Sequence, residues 1–386
     1  MMFKKMTTRS KTFSAAALKR GGRRGLAAGG LARTALLASC MGLSLLSGCA
    51  TIGPPSVARD RFDYSSAISD SWKRQMLLNL LKVRYTDAPV FLEVTSVINS
   101  YTLSQQLDLH ADFAKPDRGD QFAGLSVNGT YEDRPTITYA PLTGDKFARN
   151  LMTPIPIAGL LYLLQSGYPA DVVLRMTVNT ISGLQNVFGG QGNPLSGDPG
   201  FFELIENMRV SQAAGGMGMR IKQADKNQAI VLVLDPDTQG TVSAANRRIR
   251  TLLGLNPDAR ELAIMYGTYP ANDTEIAIQT RSMLQIMVDI ASYIEVPPVD
   301  AEQGRVYVKT RTSEELTVAP PLIRIRQGGE APPDAFAATR YRERWFWIDD
   351  NDVRSKSVFS FLMFMFALTE TGESQARAPV VTVPAR

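Results

Sequence analysis

Met217-Gly218-Met219-Arg220-Ile221-Lys222 and Ala229-Ile230-Val231-Leu232-Val233-Leu234-Asp235 stand on either side of Asp225-Lys226-Asn227. Two apolar, β-prone runs parted by a short polar turn predict a hairpin. A helix-forming stretch from Ser243 to Leu253 follows, with Arg247, Arg248 and Arg250 expected on its outer face. Strands that pair locally and are then followed by a helix predict an α+β architecture. The rest of the chain repeats the pattern, giving short antiparallel strand pairs interleaved with helices and room for two subdomains.

Upstream, Ile68, Trp72, Met76, Leu77, Leu80 and Leu81 recur at helical spacing between Ser65 and Arg84, with Lys73, Arg74, Asn79 and Lys82 opposite. Asp87-Ala88-Pro89 ends that helix, and Val90 to Leu103 reads as one strand. Glu132-Asp133-Arg134-Pro135 predicts a turn between strands at Leu125–Val127 and Thr136–Tyr139. Helices are expected from Asp145 (started by Thr143) to Leu151, over Ile157–Gln165, and from Pro169 to Leu184.

Downstream, a helix is expected over Phe201–Ala214, strands near Glu261–Tyr266 and Glu275–Thr280, and a helix carrying Met283, Ile286, Met287, Ile290 and Ile294 on one side. Short strands at Arg305–Thr310, Leu322–Arg326, Ala337–Tyr341 and Trp345–Ile348 lead to a last helix, Ser355–Leu368. Trp345, Phe346, Trp347, Phe359, Phe361, Phe364 and Phe366 form an aromatic block read as core.

Asn186 to Gly200 repeats Gly with Pro and Asn, and marks a domain boundary or a mobile loop. The expected organisation is thus a leader over 1–48, a tether over 49–60, one α+β region over 61–185, the Gly-rich loop 186–200, a second α+β region over 201–370 and a disordered tail 371–386.

The start of the chain has a different composition. Nine Lys or Arg residues and no acid precede Cys49, and an uncharged stretch from Thr34 leads to Leu46-Ser47-Gly48-Cys49. A basic region, an apolar run too short to span a bilayer and small residues before a Cys resemble the signal peptide and lipobox of bacterial lipoproteins. The resemblance implies cleavage between Gly48 and Cys49 and acylation at Cys49, whose sulfur can form the thioether. Leu37-Ala38-Ser39-Cys40 also fits, but Arg33 would interrupt its apolar run, so Cys49 is the preferred site. Two or three acyl chains hold a protein stably where one does not. Ala50-Thr51-Ile52 lacks the Asp associated with inner-membrane retention, which implies an outer-membrane anchor and a periplasmic body.

Loss of the leader changes the charge. Of 42 basic residues nine leave, so 33 remain against 37 acids, a net charge of about −4. That balance excludes nucleic-acid binding by bulk basicity. With Cys40 removed and Cys49 acylated, the body keeps no thiol.

No familiar catalytic motif is present: the chain has no Gly-x-Ser-x-Gly, Ser-x-x-Lys, His-Glu-x-x-His or Cys-x-x-Cys. Its single histidine is His110, and no catalytic residue, metal or cofactor is assigned. Asp349-Asp350-Asn351-Asp352 offers oxygen ligands but lacks the Gly and distal Glu of a calcium loop, so it reads as the cap of the last helix. Period-two spacing puts Arg305, Lys309 and Arg311 on one strand face, and likewise Arg324 with Arg326 and Arg340 with Arg342; Arg344 and the Arg247–Arg250 group could join them. Coinciding faces would bind phosphate or carboxylate groups of an envelope glycan, lipid or protein partner.

Leu80-Leu81-Lys82-Val83-Arg84-Tyr85 through Val97, Pro141-Leu142-Thr143-Gly144 through Gly167, and Arg340-Tyr341-Arg342 through Leu368 resemble stretches of a group of proteobacterial lipoproteins of unknown function. The resemblance brings no activity. The expected function is a non-catalytic binding or assembly module of the envelope. The alternative is a carboxylate-based hydrolase, such as a glycan-cleaving enzyme, since two acids can perform that chemistry alone.

Overall fold

The structure is a computed structural model that describes residues 54–98, 101–112, 122–133, 136–190, 196–224, 227–235, 239–307 and 312–370. Cys49, Lys309, Arg311 and the Asp225-Lys226 turn therefore lie outside the described residues. The described residues form two compact units of an α+β protein, one comprising residues up to 68 with 92–141, the other 69–91 with 142 onward.

Helix α1 (Pro54–Arg84) contributes its first half to one unit and its second half to the other. The strands of the first unit are β1 (Phe91–Ile98), β2 (Tyr101–Asp112), β3 (Phe122–Asp133) and β4 (Thr136–Leu142). β1 pairs with β4, and β2 pairs antiparallel with β3 from Tyr101↔Asp133 to Asp112↔Phe122. The expected single strand Val90–Leu103 is thus two. Of the expected turn at Glu132–Pro135, Arg134 and Pro135 lie outside the described residues, and the strands on either side of it, β3 and β4, pair with β2 and β1. The alternating pattern of β2 meets a matching pattern in β3 along their continuous register.

The second unit starts where α1 becomes buried, at Met76, Leu77, Leu80 and Leu81. Asn79, expected on the polar face, is also fully buried: its side chain donates to the Val90 carbonyl at 2.9 Å and accepts from the Val90 N–H at 2.8 Å. A buried amide is tolerated because both ends are satisfied. Trp72, expected to be buried, is exposed.

Next come α2 (Asp145–Met152), α3 (Ile157–Gln165) and α4 (Ala170–Thr177). Gly144 at φ +95° stands at the N-cap of α2 in place of Thr143. The helix expected to continue to Leu184 ends at Thr177, giving way to β5 (Val178–Ile181) and β6 (Leu184–Gln185). The β-branched Val178 and Ile181 pair with a later strand, and tertiary pairing overrides the local helical pattern. A tight turn at Ser182 (φ 46°) and Gly183 (φ 89°) joins the two strands.

Asn186 to Gly190, the described start of the Gly-rich stretch, is buried apart from half-buried Phe188, and both flanks of that stretch belong to the same unit. Beyond it lie α5 (Pro199–Ala213), β7 (Met217–Ala224), β8 (Asn227–Leu234), α6 (Gly240–Leu253), β9 (Glu261–Tyr266), β10 (Glu275–Thr280) and α7 (Met283–Ala291). The hairpin expected around Asp225-Lys226-Asn227 is β7–β8, in register from Met217↔Leu234 to Ala224↔Asn227. The six-stranded sheet runs β6-β5-β10-β9-β8-β7 and is antiparallel except for the parallel pair β9–β10. Leu232, Leu262 and Ile276 from the sheet join Leu174, Leu204, Ile249 and Ile286 from helices in one core.

Short helices α8 (Pro298–Glu302) and α9 (Ser313–Val318) come before the strands β11 (Arg326–Gly328), β12 (Ala337–Tyr341) and β13 (Arg344–Ile348) and the closing helix α10 (Val353–Glu370). The strand expected from Arg305 is absent over 305–307, and the strand expected over Leu322–Arg326 begins only at Arg326. β13 lies between β11 and β12. Phe346, Phe359, Phe361 and Phe366 are core, as the aromatic block predicts, while Trp345 and Trp347 are half-buried and Phe364 is exposed.

Candidate functional site

Two observations define the candidate site: an open cleft of about 710 Å³ and the cations around it. One wall is the extended segment Pro320–Arg324 with Arg326; the other is the Asp349–Ser355 turn into α10. Ser355 joins them, its hydroxyl accepting from the Arg324 N–H at 2.9 Å while donating to Asp352 at 2.7 Å.

The acid row is largely committed to structure. Asp352 caps α10 by accepting from the Ser355 N–H at 3.0 Å. Partial burial pushes its carboxyl up, but the Ser355 amide and hydroxyl, with Arg324 and Arg326, hold it below the ordinary value. Asp349 pairs with Arg326 at 2.9 Å and accepts from the Trp347 indole N–H at 2.8 Å. Asp350 binds Lys356 at 2.7 Å. The capping expectation is thus met in geometry. Among the described residues, no group of three or more acidic, Cys or His side chains is placed to hold a metal ion.

Arg324 and Arg354 are exposed at the cleft and form no ion pair among the described residues. Arg354 escaped sequence reasoning because it sits on the first turn of a helix, outside the strand spacing used to find basic faces. Its only sequence signal is its place two residues after the capping acid.

The expected basic face divides in two. Register puts Arg326 beside Trp347 and Arg340 beside Trp345, on one face of the three-stranded sheet. Arg324 lies just before that sheet, at the cleft. Arg305 and Arg342 instead gather around Tyr85. The Tyr85 hydroxyl donates to buried Asp300 at 2.7 Å, and Arg305 pairs with the other Asp300 oxygen at 3.0 Å. Arg342 lies over the Tyr85 ring at 4.8 Å and pairs with Asp87 at 3.6 Å, and Asp87 also accepts from the Tyr341 hydroxyl. Of the Arg247–Arg250 group, Arg248 is held by Glu203 at 2.5 Å and Arg250 donates to the Ala259 carbonyl at 3.2 Å. Arg344 donates to the Gln327 side chain at 3.5 Å.

The buried carboxylates are likewise structural. Asp289 accepts from Arg281 at 3.1 Å and from the Gly189 N–H at 2.8 Å. Arg281 also donates to Asn179 at 2.9 Å and to the Val187 carbonyl, so one buried cation ties together β5, α7 and the Gly-rich stretch. Neither Asp289 nor Asp300 lines the cleft. The arrangement places two guanidiniums at one cleft, where their N–H groups can donate to an anion. No protein-family model, no curated protein and no solved structure matches this chain.

Proposed function

We propose that this chain is an outer-membrane lipoprotein, held by acyl chains on Cys49, whose body is a non-catalytic binding and assembly module of the cell envelope. The lipobox at Leu46–Cys49 supports the anchor, and no helix among the described residues is long and apolar enough to cross a membrane. The observation carrying the binding role is the cleft at which Arg324 and Arg354 form no ion pair among the described residues while Asp349, Asp350 and Asp352 are each held by other groups. Guanidinium groups bind phosphate and carboxylate oxygens through paired N–H donors, so the ligand is an anionic glycan or lipid headgroup.

Co-sedimentation of the purified protein with peptidoglycan sacculi, and separately with lipopolysaccharide, tests this role. Binding to one of them should fall at least tenfold in the double variant Arg324→Glu, Arg354→Glu with thermal unfolding unchanged. Binding that survives both charge reversals removes the proposed site.

A further inference from the structure

We infer that a second cleft of the larger unit, between the α3–α4 connection, α5 and the start of β7, binds an alkylammonium group, with Asp171 as its anionic seat. This cleft shares no lining residue with the anion cleft at Arg324 and takes a ligand of opposite charge, so it stands whether or not the anion cleft does.

The cleft measures about 740 Å³, a size that suits a small ligand. Hydrogen bonds that use up most of its polar groups set its walls. Gln212 on α5 accepts from the Ala170 N–H at 2.9 Å and donates to the Leu164 and Tyr168 carbonyls at 3.0 Å each. Gln165 donates to the Met219 carbonyl at 2.8 Å. These ties hold the α3–α4 connection against α5 and β7, so the cleft is formed before a ligand arrives. Pro169, Val172 and Met217 give it apolar lining.

Asp171 is not committed in this way. It stands in the first turn of α4, where its charge suits the helix dipole. Yet its Oδ1 is shut off from solvent and accepts no hydrogen bond among the described residues, so that oxygen does not serve as a cap. A desolvated acceptor without a donor is unfavourable, and in a native protein it points to a partner still to be supplied. Asp171 as a whole is half-buried and lines the cleft, so the residue stays reachable from the open side.

The other charged residue lining the cleft is Arg209, and Glu206 holds it. Arg209 donates twice to that carboxylate, once at 2.9 Å. Its basicity is raised first by the hydrogen bond to Glu206 and by that group's charge, and less by Asp171. Arg209 and Glu206 offset each other, which leaves the Asp171 charge at a largely apolar cleft.

An ammonium group brings a full positive charge and several N–H donors to such a carboxylate. A short methylene stem behind it can pack on Pro169, Val172 and Met217. A bare divalent cation needs more oxygen ligands than one carboxylate supplies, and no group of three acidic, Cys or His side chains among the described residues is placed to hold one. The ligand is an amine on an aliphatic stem, either a free amine or a lysine-type side chain of a peptide.

Titration calorimetry on the purified full-length protein tests the site with cadaverine and with N-acetyl-lysine methylamide. Glutarate and pentanol serve as anionic and neutral counterparts of similar length. Cadaverine should bind at least tenfold more tightly than glutarate or pentanol, and should shift the Met217 methyl signal in spectra of isotope-labelled methionine. Asp171→Asn should weaken cadaverine at least tenfold with thermal unfolding unchanged. Arg209→Gln should strengthen it severalfold, because the Glu206 charge is then released. Binding of the blocked lysine as well assigns a peptide side chain as ligand; binding of cadaverine alone assigns a free amine, and either result supports the ammonium seat. Absence of binding by both amines overturns it, as does glutarate or pentanol binding as tightly as cadaverine, or full affinity in Asp171→Asn. Should Asp171→Asn fail to fold, the ranking of the ligands on wild type decides alone.

Discussion

Arg281 and Asp289 meet at 3.1 Å inside the second unit, with side chains 0% and 2% exposed. The pair is eight residues apart in sequence, yet its further hydrogen bonds reach Gly189, Val187 and Asn179. It holds Val187 and Gly189, at the described start of a glycine-rich stretch whose composition alone suggests mobility, in the interior. Removing one partner of such a pair leaves an uncompensated buried charge, at a cost of about 3–5 kcal/mol. Arg281→Met should lower the unfolding free energy in urea by that amount. The double variant Arg281→Met, Asp289→Leu should lose less than the two single variants combined. Strict additivity would show that the two charges do not depend on each other.

Tyr85 gives a prediction at high pH. Burial, with the hydrogen bond to Asp300 and that carboxylate's charge, pushes its phenol well above the ordinary value. The unfolded phenol ionises near pH ~10, whereas the folded one stays protonated. This contribution to stability is therefore complete below pH ~10 and is lost as pH rises from there through the raised folded value. Between pH 8 and pH 11, wild type should lose more urea resistance than Tyr85→Phe. At pH 8 the variant should be less stable by about 1–3 kcal/mol, because Asp300 loses a buried donor. Parallel pH profiles would contradict this account of Tyr85.

The cap at Asp352 acts at the opposite end of the scale. Its carboxyl is held below the ordinary value, so its contribution is present above pH ~4 and is lost as pH falls through the lowered value. Asp352→Ala should cost about 1 kcal/mol at neutral pH, within the range for lost caps. Asp352→Asn should keep most of the cap while removing its acid sensitivity, as read by thermal unfolding at pH 3 and pH 7.

At the β12–β13 turn, Arg342 and Glu343 both adopt positive φ, at 45° and 64°. Two-residue hairpins of this kind favour Asn or Gly, and a side chain there costs about 1 kcal/mol. Arg342 gains its place over Tyr85 and beside Asp87; exposed Glu343 forms no ion pair among the described residues. Glu343→Gly should therefore raise stability by about 0.5 kcal/mol once the added flexibility of glycine is subtracted. A loss of stability would show that Glu343 makes a contribution beyond the turn.

Much of this fold is legible where one short segment determines its own partner. The β7–β8 hairpin, the apolar helix Ile157–Gln165 and the capped helix after Asp352 all follow from neighbouring residues. Failures came where a distant segment decides. Val178–Ile181 continues a helical pattern until β10 claims it. Asn79 has the composition of a surface residue until Val90 satisfies both ends of its amide. The candidate cleft was half legible: Arg324, Arg326 and the acid row are adjacent in type and spacing, whereas Arg354 joins them only once α10 docks on Pro320–Arg324.

The proposed anchor is defined by where the mature chain begins and what is attached there. Mass spectrometry of the amino-terminal peptide, recovered from outer-membrane fractions, measures both at once. It should find Cys49 as the first residue, carrying a diacylglycerol thioether and an amide-linked acyl chain. An unmodified peptide retaining Met1 to Gly48, or a chain beginning elsewhere without lipid, would contradict it.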